Sequence, residues 1–124
     1  MSLSDYAENE IADWLGGNGA PGANASPYVK LHTGDPGEDG TANAATETTR
    51  KAFSGGASAG GVVTSDAALT WTSVAGTETY SHISMWDAST AGNCLGSGAL
   101  GASKAVTAGD TFTIASGDAT ITIT

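Results

Sequence analysis

TYSHISMWD, residues 79–87, is the stretch on which the fold turns. Ser81, Ile83 and Met85 alternate with Tyr80, His82, Ser84 and Trp86. That is the period of two of a β-strand, not the 3.6 of a helix. The next residues, STAGN, have the composition of a turn, and residues 94–100 follow as a strand spaced by glycines. Reading backwards, residues 69–74 carry Leu69 and Trp71 on one face, and residues 62–64 form a further short strand. A glycine-rich turn over 55–61 separates these from a strand over 48–54. Residues 28–33 place Val29 and Leu31 on one face and Tyr28, Lys30 and His32 on the other. The end, TFTIA–SGD–ATITIT, has the pattern of a hairpin with Phe112, Ile114, Ile121 and Ile123 facing inward. About seven or eight short antiparallel strands at this spacing indicate a mainly β chain, a β-sandwich or open barrel.

One segment breaks the pattern. In SLSDYAENEIADWLGG, Ala7, Ile11, Trp14 and Leu15 stand at i, i+4, i+7 and i+8, which is one face of a helix over residues 4–15. Ser2 or Ser4 can cap it, and Asp5, three residues after Ser2, makes a variant capping box. Asp5, Glu8 and Glu10 lie where the helix dipole favours negative charge, and Gly16 and Gly17 end it. A loop over 15–26 leads to the β domain, residues 27–124, and the 124 residues make a single domain with no repeat or linker. The apolar helix face is a candidate docking surface, on the chain's own sheet or on a partner.

Composition excludes several function classes. The formal net charge is -9, and the fixed positive charges are Lys30, Arg50, Lys51 and Lys104. Nucleic-acid binding needs the opposite balance, and so does an anionic membrane surface. No apolar run is long enough to span a membrane, and MSLSDYAENE has neither the basic nor the apolar region of a signal peptide. With one cysteine, Cys94, no intrachain disulfide forms. Cys94 reads as a packed side chain, and Trp14, Trp71 and Trp86 as core residues, any one of which could instead anchor an interface.

The candidate chemical motifs fail on context. Gly17, Gly19 and Gly22 spell G-x-G-x-x-G after a helix, and Gly96, Gly98 and Gly101 spell it among strands; a dinucleotide site needs a strand before and a helix after. Residues 56–60, GASAG, match the nucleophile elbow, yet no helix follows Ser58. His32 and His82 lack the third ligand of a zinc site. The loop GDPGEDGT gathers Asp35, Glu38 and Asp39, but their spacing misses that of a calcium loop. It reads as a turn shaped by acids and glycines, meeting a neighbouring subunit or solvent. The residues therefore indicate no catalytic group, metal or cofactor.

Four phrases, in order, carry a resemblance: LSDYAENEIADWLGG, PYVKLHTGDPGEDGT, YSHISMWDASTAGNCLGSGAL and AGDTFTIASGDATITIT. Together they resemble a family of small structural proteins of tailed bacteriophages, and the likeness runs collinearly over nearly the whole chain. The resemblance implies a non-enzymatic virion component, assembled in the host cytoplasm, on the tail, tail tip or fibre. Its expected partners are other virion proteins, tail or capsid subunits, with the chain in a homo-oligomer or symmetric array. Two alternatives stand beside it: a capsid decoration or head-fibre protein, and a carbohydrate-binding module that attaches to host glycan through Tyr80 and Trp86 near His82.

Overall fold

The computed structural model describes residues 2–22 and 26–123. Residues 23–25 of the expected loop, together with Met1 and Thr124, lie outside the described residues. One antiparallel sheet has five strands in the order β1-β7-β6-β2-β3. These are β1 (Ser2–Leu3), β2 (Tyr28–His32), β3 (Lys51–Ala52), β6 (Glu78–Trp86) and β7 (Cys94–Val106). Facing it are two two-stranded pairs. In one, β4 (Val62–Thr64) pairs with β9 (Thr120–Thr122); in the other, β5 (Leu69–Trp71) pairs with β8 (Phe112–Ile114). The result is the expected mainly β, sandwich-like architecture, with one helix, α1 (Asp5–Leu15), at the start.

The end of the chain departs from the expected hairpin, because β8 and β9 do not pair with each other. Val63 pairs with Ile121 and Thr70 with Thr113, so the two pairs are the arms of one bent ribbon. Ser65 makes the corner. Its backbone N–H donates to Ala119 O, and its buried hydroxyl accepts from the N–H groups of Gly117 (3.1 Å) and Ala119 (3.3 Å). Amides that would close a terminal hairpin are thus spent on Ser65. Ile123, expected inward, is 49% exposed.

The core lies between sheet and ribbon. Val29, Leu31, Ile83, Met85 and Val106 meet Leu69, Trp71, Phe112 and Ile114. Phe112 packs between Trp71 (5.8 Å between centroids) and Tyr80 (5.1 Å, edge-on). Such aromatic pairs add about 0.5–1.5 kcal/mol each beyond the area they bury. Tyr80 belongs to this core, which corrects its expected place on the face of His82, Ser84 and Trp86. The register explains the change. Tyr80 pairs with Lys104 but His82 with Ala99, so Ser81 alone opposes residues 100–103. A bulge of this kind turns the strand and breaks the alternation.

Three other strands differ in length from expectation: β5 ends at Trp71, short of the expected residue 74, where Val74 N–H bonds Asp110 O outside the strand. Of residues 48–54 only Lys51–Ala52 pair, because nearby backbone groups bond to side chains instead. Thr49 N–H donates to the Glu47 carboxylate, and Thr49 O accepts from Trp71 Nε1 at 2.8 Å. β7 runs past the expected residue 100 to Val106.

Candidate interface surfaces

The helix starts at Ser4, not Ser2. Ser4 Oγ accepts from Ala7 N–H at 3.2 Å, whereas Ser2 pairs with Ser97 in the sheet. Ser4 also donates to Cys94 O and, through its N–H, bonds Leu95 O, which fixes the start of α1 on β7. Beyond this anchor no helix residue is fully buried. Ala7 and Ile11 line an apolar groove of about 440 Å³ where sheet and ribbon diverge. Its other walls include Phe53, Val63, Met85, Leu95 and Ile121. Trp14 (57% exposed) and Leu15 (74%) stand beyond it, in solvent. The expected face is therefore divided: its first half faces the chain's own sandwich, and its second half touches little. Of the two readings of Trp14, core packing and docking face, its exposure excludes the first.

The acidic loop folds over the outer face of the five-stranded sheet. It leaves β2 and returns beside it, with Thr33 N–H on Asn43 O and Ala45 N–H on Leu31 O. Asp35 Oδ1 accepts from Gly37 N–H at 3.0 Å. Asp39 Oδ1 accepts from the Thr41 hydroxyl (2.7 Å) and N–H (3.0 Å), and these two donors hold the Asp39 carboxyl below the usual carboxylate range. Two of the three acids therefore build turns in the Asx manner. Glu38 is exposed. Glu38 and Asp39 border a hollow with Asp5 and Tyr6 of the first helical turn, so the structure brings the loop tip close to the helix start. Asp35 does not line that hollow. Among the described residues no three His, Cys, Asp or Glu side chains gather as metal ligands.

Beneath the loop lies a directed chain of hydrogen bonds. His32, Ser84 and Trp86 are all buried. Trp86 Nε1–H donates to Ser84 Oγ at 2.7 Å. Ser84 Oγ lies 2.7 Å from His32 Nε2, and His32 Nδ1 lies 2.9 Å from Ala42 O. A carbonyl only accepts, so Nδ1 carries the proton and Nε2 accepts from Ser84. Burial lowers the His32 pKa, against the favourable bond to Ala42 O; the Lys30 charge lowers it further. The neutral ring thus ties the loop to the sheet. Gly40 (φ 71°) completes the seam: a Cβ there would meet Cys94 Sγ at 2.6 Å and Trp86 Cζ2 at 2.9 Å. The Arg50 guanidinium lies 4.0 Å from the Trp86 ring centre, and its Nη1 donates to Ala88 O and Ala91 O. Cys94 is buried, which pushes its thiol pKa up and away from reactivity.

This geometry removes the aromatic platform for a glycan. Tyr80 and Trp86 are both buried and lie on opposite faces of the sheet. The other motif matches resolve as turns and strands. Ser58 lies in the loop just before the turn closed by Ala59 and Val62, and the two glycine triplets follow α1 and lie in β7. No helix among the described residues is long and apolar enough to cross a membrane. The groove's walls had no signature in the sequence, since they come from separate elements.

What decides the identity is a match along the whole fold. The family described as Podophage GP4 fiber I protein gp80 matches residues 2–122. The chain belongs to this phage fibre family. The match takes in α1, the loop over the sheet and both arms of the ribbon. No curated protein matches the chain. The fibre family agrees with the phage structural proteins indicated by the four collinear phrases of the sequence.

Proposed function

We propose that this chain is a non-enzymatic structural subunit of a phage fibre, present in several copies in the virion and bound there to other virion proteins. The observation that carries the reading is the fibre-family match over residues 2–122. The surface supports it. Trp14 and Leu15 present large apolar side chains to solvent at the end of a helix anchored at its start, the arrangement of a docking knob. The acidic loop tip, with Glu38 and Asp39 beside Asp5 and Tyr6, forms a second, polar contact surface, and Asp35 holds the loop's shape from its base.

The buried polar groups support a structural role as well. Ser84 and His32 have the spacing of a nucleophile and base, but both are fully buried. The Ser84 hydroxyl is already engaged with His32 and Trp86. Such a pair holds a loop; it does not meet a substrate. Quantitative mass spectrometry of purified particles tests the proposal. The expected result is this chain at several copies per particle, lost together with the fibre when its gene is deleted. Intact fibres in the deletion particle would overturn it.

A further inference from the structure

We propose that the groove under α1 receives an apolar segment flanked by lysine or arginine from a different virion protein. The inference rests on the fibre-subunit reading and specifies the chemistry of its partner. The groove has the volume of a small-ligand pocket, about 440 Å³. Ile11, Phe53, Met85, Leu95 and Ile121 give it apolar walls, enough for the side chains of one short segment. Trp14 and Leu15 extend the apolar surface along the same helix face, outside the groove. A segment lying in the groove and against Trp14 would cover both.

Charge selects the occupant. α1 carries Asp5, Glu8, Glu10 and Asp13 and no lysine or arginine. Glu10 and Asp87 line the groove, and no lysine or arginine does. The Glu10 carboxylate accepts from the Gly22 N–H, and the Asn93 donors, with the Arg50 charge nearby, hold the Asp87 carboxyl below the usual carboxylate range. A second copy of this chain, itself at -9, would set acidic helix against acidic helix. Like-charge contact of this kind is repulsive, whereas a basic, apolar segment meets both the walls and the rim.

Two experiments test this. In the first, particles carry Trp14→p-benzoyl-phenylalanine, and the photo-cross-linked segment is sequenced. The expected product joins residue 14 to a different virion protein, at an apolar segment with lysine or arginine within a few residues. Three products overturn the inference: a cross-link to a second copy of this chain, one to an acidic or uncharged segment, or none in particles that contain the chain. Particles that lack the chain altogether would instead refute the fibre-subunit reading on which it rests.

The second experiment uses the purified chain and the fluorescence anisotropy of two labelled amphipathic probe peptides, one of leucine and lysine and one of leucine and glutamate. The leucine–lysine peptide should bind at least about tenfold tighter, and weaken by at least about fivefold from low to high salt as charges are screened. Ile11→Asp should abolish that binding, while unfolding midpoints confirm that the variant is folded. Equal binding of the two peptides, or unchanged binding by a folded Ile11→Asp, would overturn the inference.

Discussion

Gly40→Ala should destabilise the chain far more than the same change three residues earlier. Gly40 and Gly37 share a left-handed backbone, φ 71° and 74°. An alanine in that region costs about 1–2 kcal/mol for backbone alone. At Gly37 the new methyl would meet only Asp39 Oδ1, at 3.9 Å. At Gly40 it would stand 2.6 Å from Cys94 Sγ and 2.9 Å from Trp86 Cζ2, both in the buried seam. Overpacking of this kind adds about 1–3 kcal/mol. Gly37→Ala should therefore cost about 1–2 kcal/mol, and Gly40→Ala about 2–5 kcal/mol. Urea unfolding followed by tryptophan fluorescence measures both. Cys94→Ala in the Gly40→Ala background should recover part of the packing cost and none of the backbone cost. If Gly40→Ala and Gly37→Ala lose the same stability within about 0.5 kcal/mol, the loop does not close on the sheet as described.

Three further outcomes follow from the same geometry. His32 is held neutral, with a pKa below its ordinary 6.5, so between these two values the unfolded chain binds a proton that the folded chain does not. Its contribution is full above about pH 6.5 and is lost as pH falls through the folded pKa; urea midpoints across pH 5–8, with His32→Gln as control, check the sign. Ser84→Ala strips Trp86 Nε1 and His32 Nε2 of their shared partner and should cost about 1–3 kcal/mol, read by thermal unfolding. Trp14→Ala, at a site more than half exposed, should change stability by less than about 0.5 kcal/mol yet reduce incorporation into particles, read by mass spectrometry.

The sequence showed what local chemistry determines. Period-two alternation marked the strand through Ile83 and Met85, and the apolar spacing from Ala7 to Leu15 marked the helix. The side chains that build the acidic loop are near neighbours, so Asp35 and Asp39 could be read as turn-formers. Tyr80 was misplaced because four residues of β7 oppose Ser81, and a partner strand's slack leaves no mark on the strand it bends. The terminal residues read as a hairpin because Phe112, Ile114 and Ile121 keep the same period whichever strand they pair with. Its true partners lie some 40 to 60 residues earlier, selected by Ser65 at the corner. The groove was hidden for a related reason: Ile11, Phe53, Met85, Leu95 and Ile121 converge only once the sandwich has formed.

The most direct test of the central claim is a cryo-electron-microscopy map of intact particles at side-chain resolution. The account expects density for this helix and sandwich in a fibre, in several copies, with Trp14 and Leu15 against another virion protein. Density on the capsid lattice, or none in the particle, would contradict it.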